Sequence, residues 1–324
     1  MTAQNSARTA LPARTTLPER NVLIAFGFFI LIGGGASVAI RITYAELAPF
    51  WAGAARFLLA ALIMWVVAIF KRVPLPKGRA LLGALLYGAL TVGLAFVLIG
   101  WGLVATPASR YQVLMATVPL LTIFLSSLHG VEAISRRGII GSLLAVAGIL
   151  LTVGGVTTSQ LSLPHTVAIL LAAACLAEGG VLIKKFPPNP PIMTNAIGMT
   201  VGGSILAIVS LVSGEKWTIP TQTRTWIAYL YLVIFASSIA FLLYIFVLRN
   251  WSASGTSYGF VLVPLVTIVI ASTIAGEEIT WNFLIGAALV LAGALIGALL
   301  PSKAKSTPDE ECLDSAGQVL PGCQ

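Results

Sequence analysis

Charge is what this chain of 324 residues has least of: 9% of its residues are Asp, Glu, Lys or Arg, against 58% that are apolar. An ordinary soluble domain carries roughly 25% charged residues, and a water-facing surface cannot be built from so few. That excludes a soluble enzyme, a nucleic-acid-binding domain and a disordered chain. Acidic and imidazole groups are scarcer still. Asp occurs only at Asp309 and Asp314, in a polar C-terminal stretch, and His only at His129 and His165. Cys175 lies in an apolar run, and Cys312 and Cys323 lie in the polar end, so neither a metal spacing nor a disulfide framework is formed. No zinc motif, P-loop or dinucleotide fingerprint is present, and neither cofactor nor metal is expected. Gly255-Thr256-Ser257-Tyr258-Gly259 satisfies G-x-S-x-G, but it opens an apolar helix and lacks the strand, His and acid that a hydrolase elbow requires. Residues 1–20 lack the apolar core of a signal peptide.

What is present is a series of continuous apolar runs about 20 residues long, the length a helix needs to span a bilayer. They fall near 22–41, 49–70, 79–101, 106–129, 138–156, 165–184, 192–213, 226–248, 254–275 and 281–299. Transmembrane β-strands would alternate every second residue, and these do not. The expected fold is an all-α integral membrane protein of ten transmembrane helices. Residues 1–20 and 301–324 are expected to be disordered cytoplasmic tails. The connections are short, so function must lie among the helices. Lys and Arg fix the orientation. One side holds Arg8, Arg14, Arg20, Lys71, Arg72, Lys77, Arg79, Arg136, Arg137, Lys184, Lys185, Arg249, Lys303 and Lys305; the other holds only Arg41, Arg110, Lys216 and Arg224. Fourteen against four places both termini in the cytoplasm.

The chain also matches itself at an offset of 145 residues: 118–151 aligns with 263–296 without a gap, with 14 of 34 positions identical. The identities include Pro119/Pro264, Thr122/Thr267, Glu132/Glu277, Gly141/Gly286 and Gly148/Gly293, and the register extends upstream to Ala95-Phe96/Ala240-Phe241. Two five-helix units follow, 21–156 and 157–300. Because five is odd, the second enters the membrane from the opposite side, giving the inverted repeat common in secondary transporters.

Pro, a Glu about 13 residues on, then Gly-x6-Gly, occurring twice, resembles the EamA-type ten-helix exporters of the drug/metabolite transporter superfamily; Arg56-Phe57-Leu58-Leu59-Ala60-Ala61-Leu62 is similar to that family's second-helix motif. Within the family the chain looks most like the bacterial aromatic amino acid exporters. The resemblance implies a non-enzymatic inner-membrane transporter that exports small metabolites, amino acids among them, by alternating access. An exporter of drugs or other small organic compounds, or a channel, are the alternatives. The expected partners are a small amino-acid-like substrate and the lipid bilayer, with the protein a monomer.

Site candidates follow from chemistry rare in a membrane. Arg56 and Glu178 are the two charges well inside helices, where charge is costly and faces protein or a wet cavity. Tyr87, Trp101, Tyr111, Tyr244 and Tyr258 offer rings and polar handles for a cavity. Gly34 and Gly179, and Pro119 and Pro264, occupy matching positions in the two halves and are candidate helix breaks along a substrate path. For the glycines, close packing is the plainer alternative. Glu132 and Glu277 are expected to cap helices 5 and 10, with gating as the alternative, and Gly293/Gly297 to serve helix packing within one chain, with a homodimer face as the alternative.

Overall fold

The computed structural model describes residues 18–105, 111, 114–152, 163–275 and 281–299. Residues 1–17 of the stretch 1–20 read as an N-terminal tail, and the C-terminal stretch 301–324, lie outside them with Glu277 and Glu278, while Arg20 already opens the first helix. Ten helices are numbered here by the apolar runs. They are α1 (Arg20–Thr43), α2 (Pro49–Phe70), α3 (Arg79–Tyr87, continuing through Gly88–Leu94 to Ala95–Ala105), α4 (Val118–Leu128) and α5 (Arg136–Thr152). The second half has α6 (Leu163–Lys185), α7 (Pro191–Val212), α8 (Thr223–Tyr231, Leu232–Ile239 and Ala240–Asn250), α9 (Ala253–Ser257 with Gly259–Ala275) and α10 (Trp281–Ala294 with Leu295–Leu299). Six of these are long and apolar enough to cross a membrane, and shorter apolar helices lie within α4, α9 and α10. Large apolar side chains such as Phe70, Leu128, Val212 and Trp281 face outward, as a lipid-facing surface requires.

Helix starts follow local rules. Pro49 and Pro191 stand first in α2 and α7, where the missing N–H has no partner to lose. Two ends share one device. After α4 and α7, Gly130 (φ 67°) and Gly214 (φ 68°) take the left-handed conformation, and Val131 N and Glu215 N donate back to the Ser126 and Ser210 carbonyls.

The packing carries the repeat into three dimensions. α2 lies antiparallel to its repeat mate α7: Gly53 faces Leu206, and Trp65 donates to Thr200 Oγ1 at 3.0 Å. α5 lies antiparallel to its mate α10. A Cβ on Gly141 would sit 2.5 Å from the Gly293 carbonyl oxygen, and one on Gly148 would sit 2.6 Å from that of Gly286. At offset 145 the pair Gly141–Gly293 becomes Gly286–Gly148, so the crossing maps onto itself. The glycines thus serve close packing within one chain. The most extensive of the remaining pairings come as images: α3 on α7 and α2 on α8, α1 on α9 and α4 on α6, α1 on α8 and α3 on α6. The molecule is an all-helical membrane protein of two inverted five-helix repeats about a pseudo-two-fold axis.

α3 and α8 each widen into a π segment, Gly88–Leu94 and Leu232–Ile239. These lie at equivalent positions, since offset 145 carries 88–94 onto 233–239. The paired irregularity therefore falls in these two helices. α1 runs unbroken through Gly34 and α6 through Gly179, which corrects the expectation of helix breaks there. A glycine removes a side chain without removing an N–H, so the helical ladder survives and only the approach distance changes. Gly34 lets Val266 and Thr267 in, its carbonyl accepting from Thr267 Oγ1 at 3.1 Å. Pro119 stands second in α4 after a turn at 116–117, where it breaks no ladder bond; Pro264 lies inside α9.

Candidate functional site

Where the repeats meet, a cavity of about 140 Å³ is lined by Phe29, Thr91, Phe96, Ile99, Tyr111, Leu176, Phe241, Tyr244 and Phe260. Phe96/Phe241 and Ile99/Tyr244 are repeat mates at offset 145, so the cavity straddles the pseudo-two-fold axis. Phe57 braces this wall from behind, edge-on to Phe96 (4.8 Å between centroids) and to Phe241 (5.8 Å). The lining is aromatic and aliphatic, with Thr91, Tyr111 and Tyr244 as its hydroxyls.

The π segment of α3 turns Thr91 toward α6, where only a glycine fits: a Cβ on Gly179 would overlap Thr91 Oγ1, and one on Gly180 would lie 2.9 Å from the Tyr244 hydroxyl. Thr91 Oγ1 and the Tyr87 hydroxyl are buried without a hydrogen-bond partner. Tyr87 is fully buried and packs in one cluster with Tyr244, Ile183 and Leu248. Tyr111 and Tyr244 therefore line the cavity, and Tyr87 and Gly179 stand directly behind it.

The structure does not bring Trp101 or Tyr258 to the cavity. Trp101 is 43% exposed and stacks on His165 at 4.6 Å, which puts it on the outer surface near the start of α6. Tyr258 is buried at the α5–α10 crossing, its hydroxyl paired with Ser142 Oγ at 2.9 Å and donating to the Gly138 carbonyl at 3.0 Å. Both are aromatic residues at plausible helical positions, and sequence spacing alone does not say which neighbour they face.

Arg56 is buried in α2. Its Nε donates to Ser237 Oγ in the π segment of α8 at 2.6 Å, and its guanidinium lies 4.8 Å from the Phe57 ring centre and 5.7 Å from that of Phe96. Glu178, in α6, meets His129 at the end of α4: Oε1 to Nε2 is 2.7 Å, and His129 Nδ1 in turn meets Lys185 Nζ at 2.9 Å. Arg56 and Glu178 thus do not pair with each other.

Glu132 does not cap α5. Its carboxylate accepts from the backbone N–H groups of Ala253 and Ser254 and from Ser254 Oγ, at the start of α9. The glycine turn ending α4 points Glu132 away from α5, which begins four residues later, and toward the free N–H groups of a helix in the other repeat. The far side repeats the logic. Glu215 accepts from Phe50 N (3.1 Å) and Trp51 N (2.7 Å), opening α2, and Glu46 accepts from Thr221 N (2.7 Å) and Thr225 Oγ1 (3.0 Å), opening α8. Carboxylates on the loops of one repeat cap helices of the other.

Phe29, Thr91, Phe96, Ile99, Leu176, Phe241 and Phe260 were not among the sequence candidates. The signal for two of them was present: Phe96/Phe241 is an identity in the repeat, and both copies line one cavity.

The comparisons agree with this architecture. The EamA-like transporter family matches the chain twice, over residues 22–154 and 164–298. The Escherichia coli (strain K12) uncharacterized inner membrane transporter YedA is 30% identical over 271 residues, covering 81% of this chain and 86% of that protein. The Bacillus subtilis uncharacterized transporter YyaM is 28% identical, covering 84% and 92%. A protein of Streptantibioticus cattleyicolor named as a probable terminal-alkyne amino-acid exporter is 24% identical, covering 68% and 74%. A solved crystal structure superposes with a TM-score of 0.74 at 16% identity, covering 87% of this chain and 98% of that one, which shows the shared fold. Two matched copies on two inverted helical repeats, with relatives along most of the length, mean that this chain belongs to the EamA-like transporter family and is a multi-pass membrane transporter of the drug/metabolite transporter superfamily, not an enzyme.

Proposed function

We propose that this transporter exports small amino-acid-like molecules, aromatic ones included, from the cytoplasm by alternating access, working as a monomer in the inner membrane. The two repeats, 21–156 and 157–300, rock about the axial cavity. The end carrying Lys71, Arg72, Arg136, Arg137, Lys184, Lys185 and Arg249 faces the cytoplasm, with both termini, by the positive-inside rule.

The observation that carries this reading is the cavity on the axis. Apolar space of about 150 Å³ holds one benzene ring, and the space here, about 140 Å³ walled by six phenyl or tyrosyl rings of which Phe96 and Phe241 are mates, suits one ring or branched aliphatic group. No charged side chain is among the lining residues. A phosphate would lose its hydration with no cation to replace it, whereas a zwitterion brings its own counter-charge and needs hydroxyls and backbone groups. The amino-acid exporter relative supports the substrate class.

Counterflow of the radiolabelled natural amino acids into proteoliposomes tests it. Saturable exchange of Phe, Tyr or the branched aliphatic amino acids, with sugar phosphates inert, is the expected result. Exchange of a sugar phosphate with no amino acid competing would overturn the reading.

A further inference from the structure

We propose that Glu178, His129 and Lys185 form a proton-binding latch at the basic end, and that acidifying this end locks the latch and slows transport. The proposal rests on the transporter reading but not on the identity of the substrate.

The hydrogen bookkeeping follows from the two distances. Lys185, an ammonium, can only donate, so at 2.9 Å it takes the lone pair of His129 Nδ1. The imidazole is then neutral, its proton is on Nε2, and it donates to Glu178 Oε1 at 2.7 Å. At the imidazole an arriving proton has one place to go, the Nδ1 lone pair that Lys185 occupies. Proton and ammonium compete for the same two electrons. Uptake makes His129 an imidazolium, which turns the Glu178 contact into a full ion pair and expels the Lys185 head toward water. The bond to the carboxylate is already charge-assisted, and the new positive charge on the ring adds Coulomb attraction to it. Imidazole is the side chain suited to such a change between about pH 5 and 8.

Three features tie the latch to the transport path. It joins the repeats, since His129 ends α4 and Glu178 lies in α6. Its helix α6 lines the cavity: Leu176, two residues before Glu178, is a lining residue, and Gly179, the next residue, packs against Thr91 of the lining. It exists at one end only, because offset 145 carries His129 to Ile274 and Glu178 to Gly33, neither of which titrates. The second oxygen, Glu178 Oε2, is buried without a partner, so the carboxylate depends on His129 for its hydrogen bond. The other titratable and charged groups of this corner are Cys175 and Lys184 on α6, Glu132 after α4, Arg249 at the end of α8, and Arg136 and Arg137 opening α5. Glu132 is committed to the start of α9, which leaves Glu178 as the carboxylate available to His129.

The chain has two histidines, so in full-length His165→Gln protein labelled with ¹³C-histidine in nanodiscs the imidazole signal belongs to His129. Lys185→Met removes the competitor and moves the His129 titration midpoint up; Glu178→Gln removes the counter-ion and moves it down, each by about one pH unit, a tenfold change in proton affinity. In proteoliposomes, counterflow falls as pH is lowered on the basic side, the fall begins at higher pH in Lys185→Met, and it is absent in His129→Asn. A midpoint unmoved by both substitutions overturns the proton site without using any substrate. Midpoints that move while His129→Asn keeps the unmodified protein's pH profile overturn its link to transport.

Discussion

Arg56 and Ser237 meet at 2.6 Å across the repeat boundary, one from the second helix of the first repeat and the other from the widened segment of α8. The contact explains how a guanidinium persists inside the bundle. One N–H has a fixed acceptor, and the charge lies near the faces of Phe57 and Phe96, which attract it. Phe96 is also a cavity wall, so Arg56 acts as a brace behind the cavity. Ser237→Ala leaves the charge buried without its acceptor and should lower stability by about 1.5–3 kcal/mol. Arg56→Met removes the charge with its desolvation cost and should restore most of that loss while substrate affinity stays within about threefold. Thermal melts and counterflow on the single and double variants check both. Complete loss of substrate affinity in well-folded Arg56→Met would make Arg56 a substrate ligand instead.

The α5–α10 crossing should tolerate no side chain. Gly141→Ala puts a Cβ against the Gly293 backbone, which cannot rotate away, and should destabilise by about 1–3 kcal/mol. Gly27 lies in α1 with no atom within 4 Å of its position for a Cβ, so Gly27→Ala should stabilise by roughly 0.5–1 kcal/mol. Melting temperatures in one detergent compare the two. Equal effects would show that the crossing is looser than its geometry.

Glu46 should make the far end sensitive to acid. The backbone N–H of Thr221 holds its carboxyl below the usual carboxylate value, with the hydroxyl of Thr225 and the N–H of Gln222 adding to this against some desolvation. With the folded-state value depressed, the tie is at full strength above the ordinary value and is lost as pH falls through the depressed one. Amide exchange at Thr221 and Gln222, corrected for intrinsic rates, should quicken in that acid range. In Glu46→Ala, which removes the acceptor oxygens, it should be fast at every pH. Protection unchanged in Glu46→Ala would show that the carboxylate does not hold these N–H groups.

Trp101 and Tyr244 separate outer surface from cavity. Trp101→Ala, on an exposed ring stacked on His165, should leave KM within about twofold for all substrates. Tyr244→Ala strips a cavity wall and should raise KM for aromatic substrates by about 3- to 10-fold, the scale of one lost ring contact of about 0.5–1.5 kcal/mol. Uptake kinetics with Phe and Ala as substrates distinguish them.

The helices and the repeat were legible because both rest on periodic or repeated signals. A Pro, a Glu and two Gly at fixed spacing survive in sequence even when the apolar residues between them drift. Close approach was legible at Gly141 and Gly293 for the same reason. Which neighbour a side chain meets was not. Glu132 reaches α9 through a turn whose direction is set by the φ of Gly130, and Tyr258 differs from Tyr244 only in the helix it happens to face. The π segments at 88–94 and 232–239 carry no sequence mark, since an extra residue per turn is decided by packing around Thr91 and Ser237 rather than by propensity. His129 was readable as a residue near a loop; its bridge to Glu178 is a tertiary fact.

A substrate side chain seated in the axial cavity would touch both Phe96 and Phe241. The measurement is kcat/KM for phenylalanine and for alanine in proteoliposomes carrying the unmodified protein, Phe96→Ala or Phe241→Ala, the two mated walls. The predicted result is a fall of about 3- to 10-fold for phenylalanine in each variant, with alanine changed less than about twofold, because ring contacts of roughly 0.5–1.5 kcal/mol are lost only by the ring-bearing substrate. Equal losses for both amino acids, or no loss for either in correctly folded protein, would contradict it.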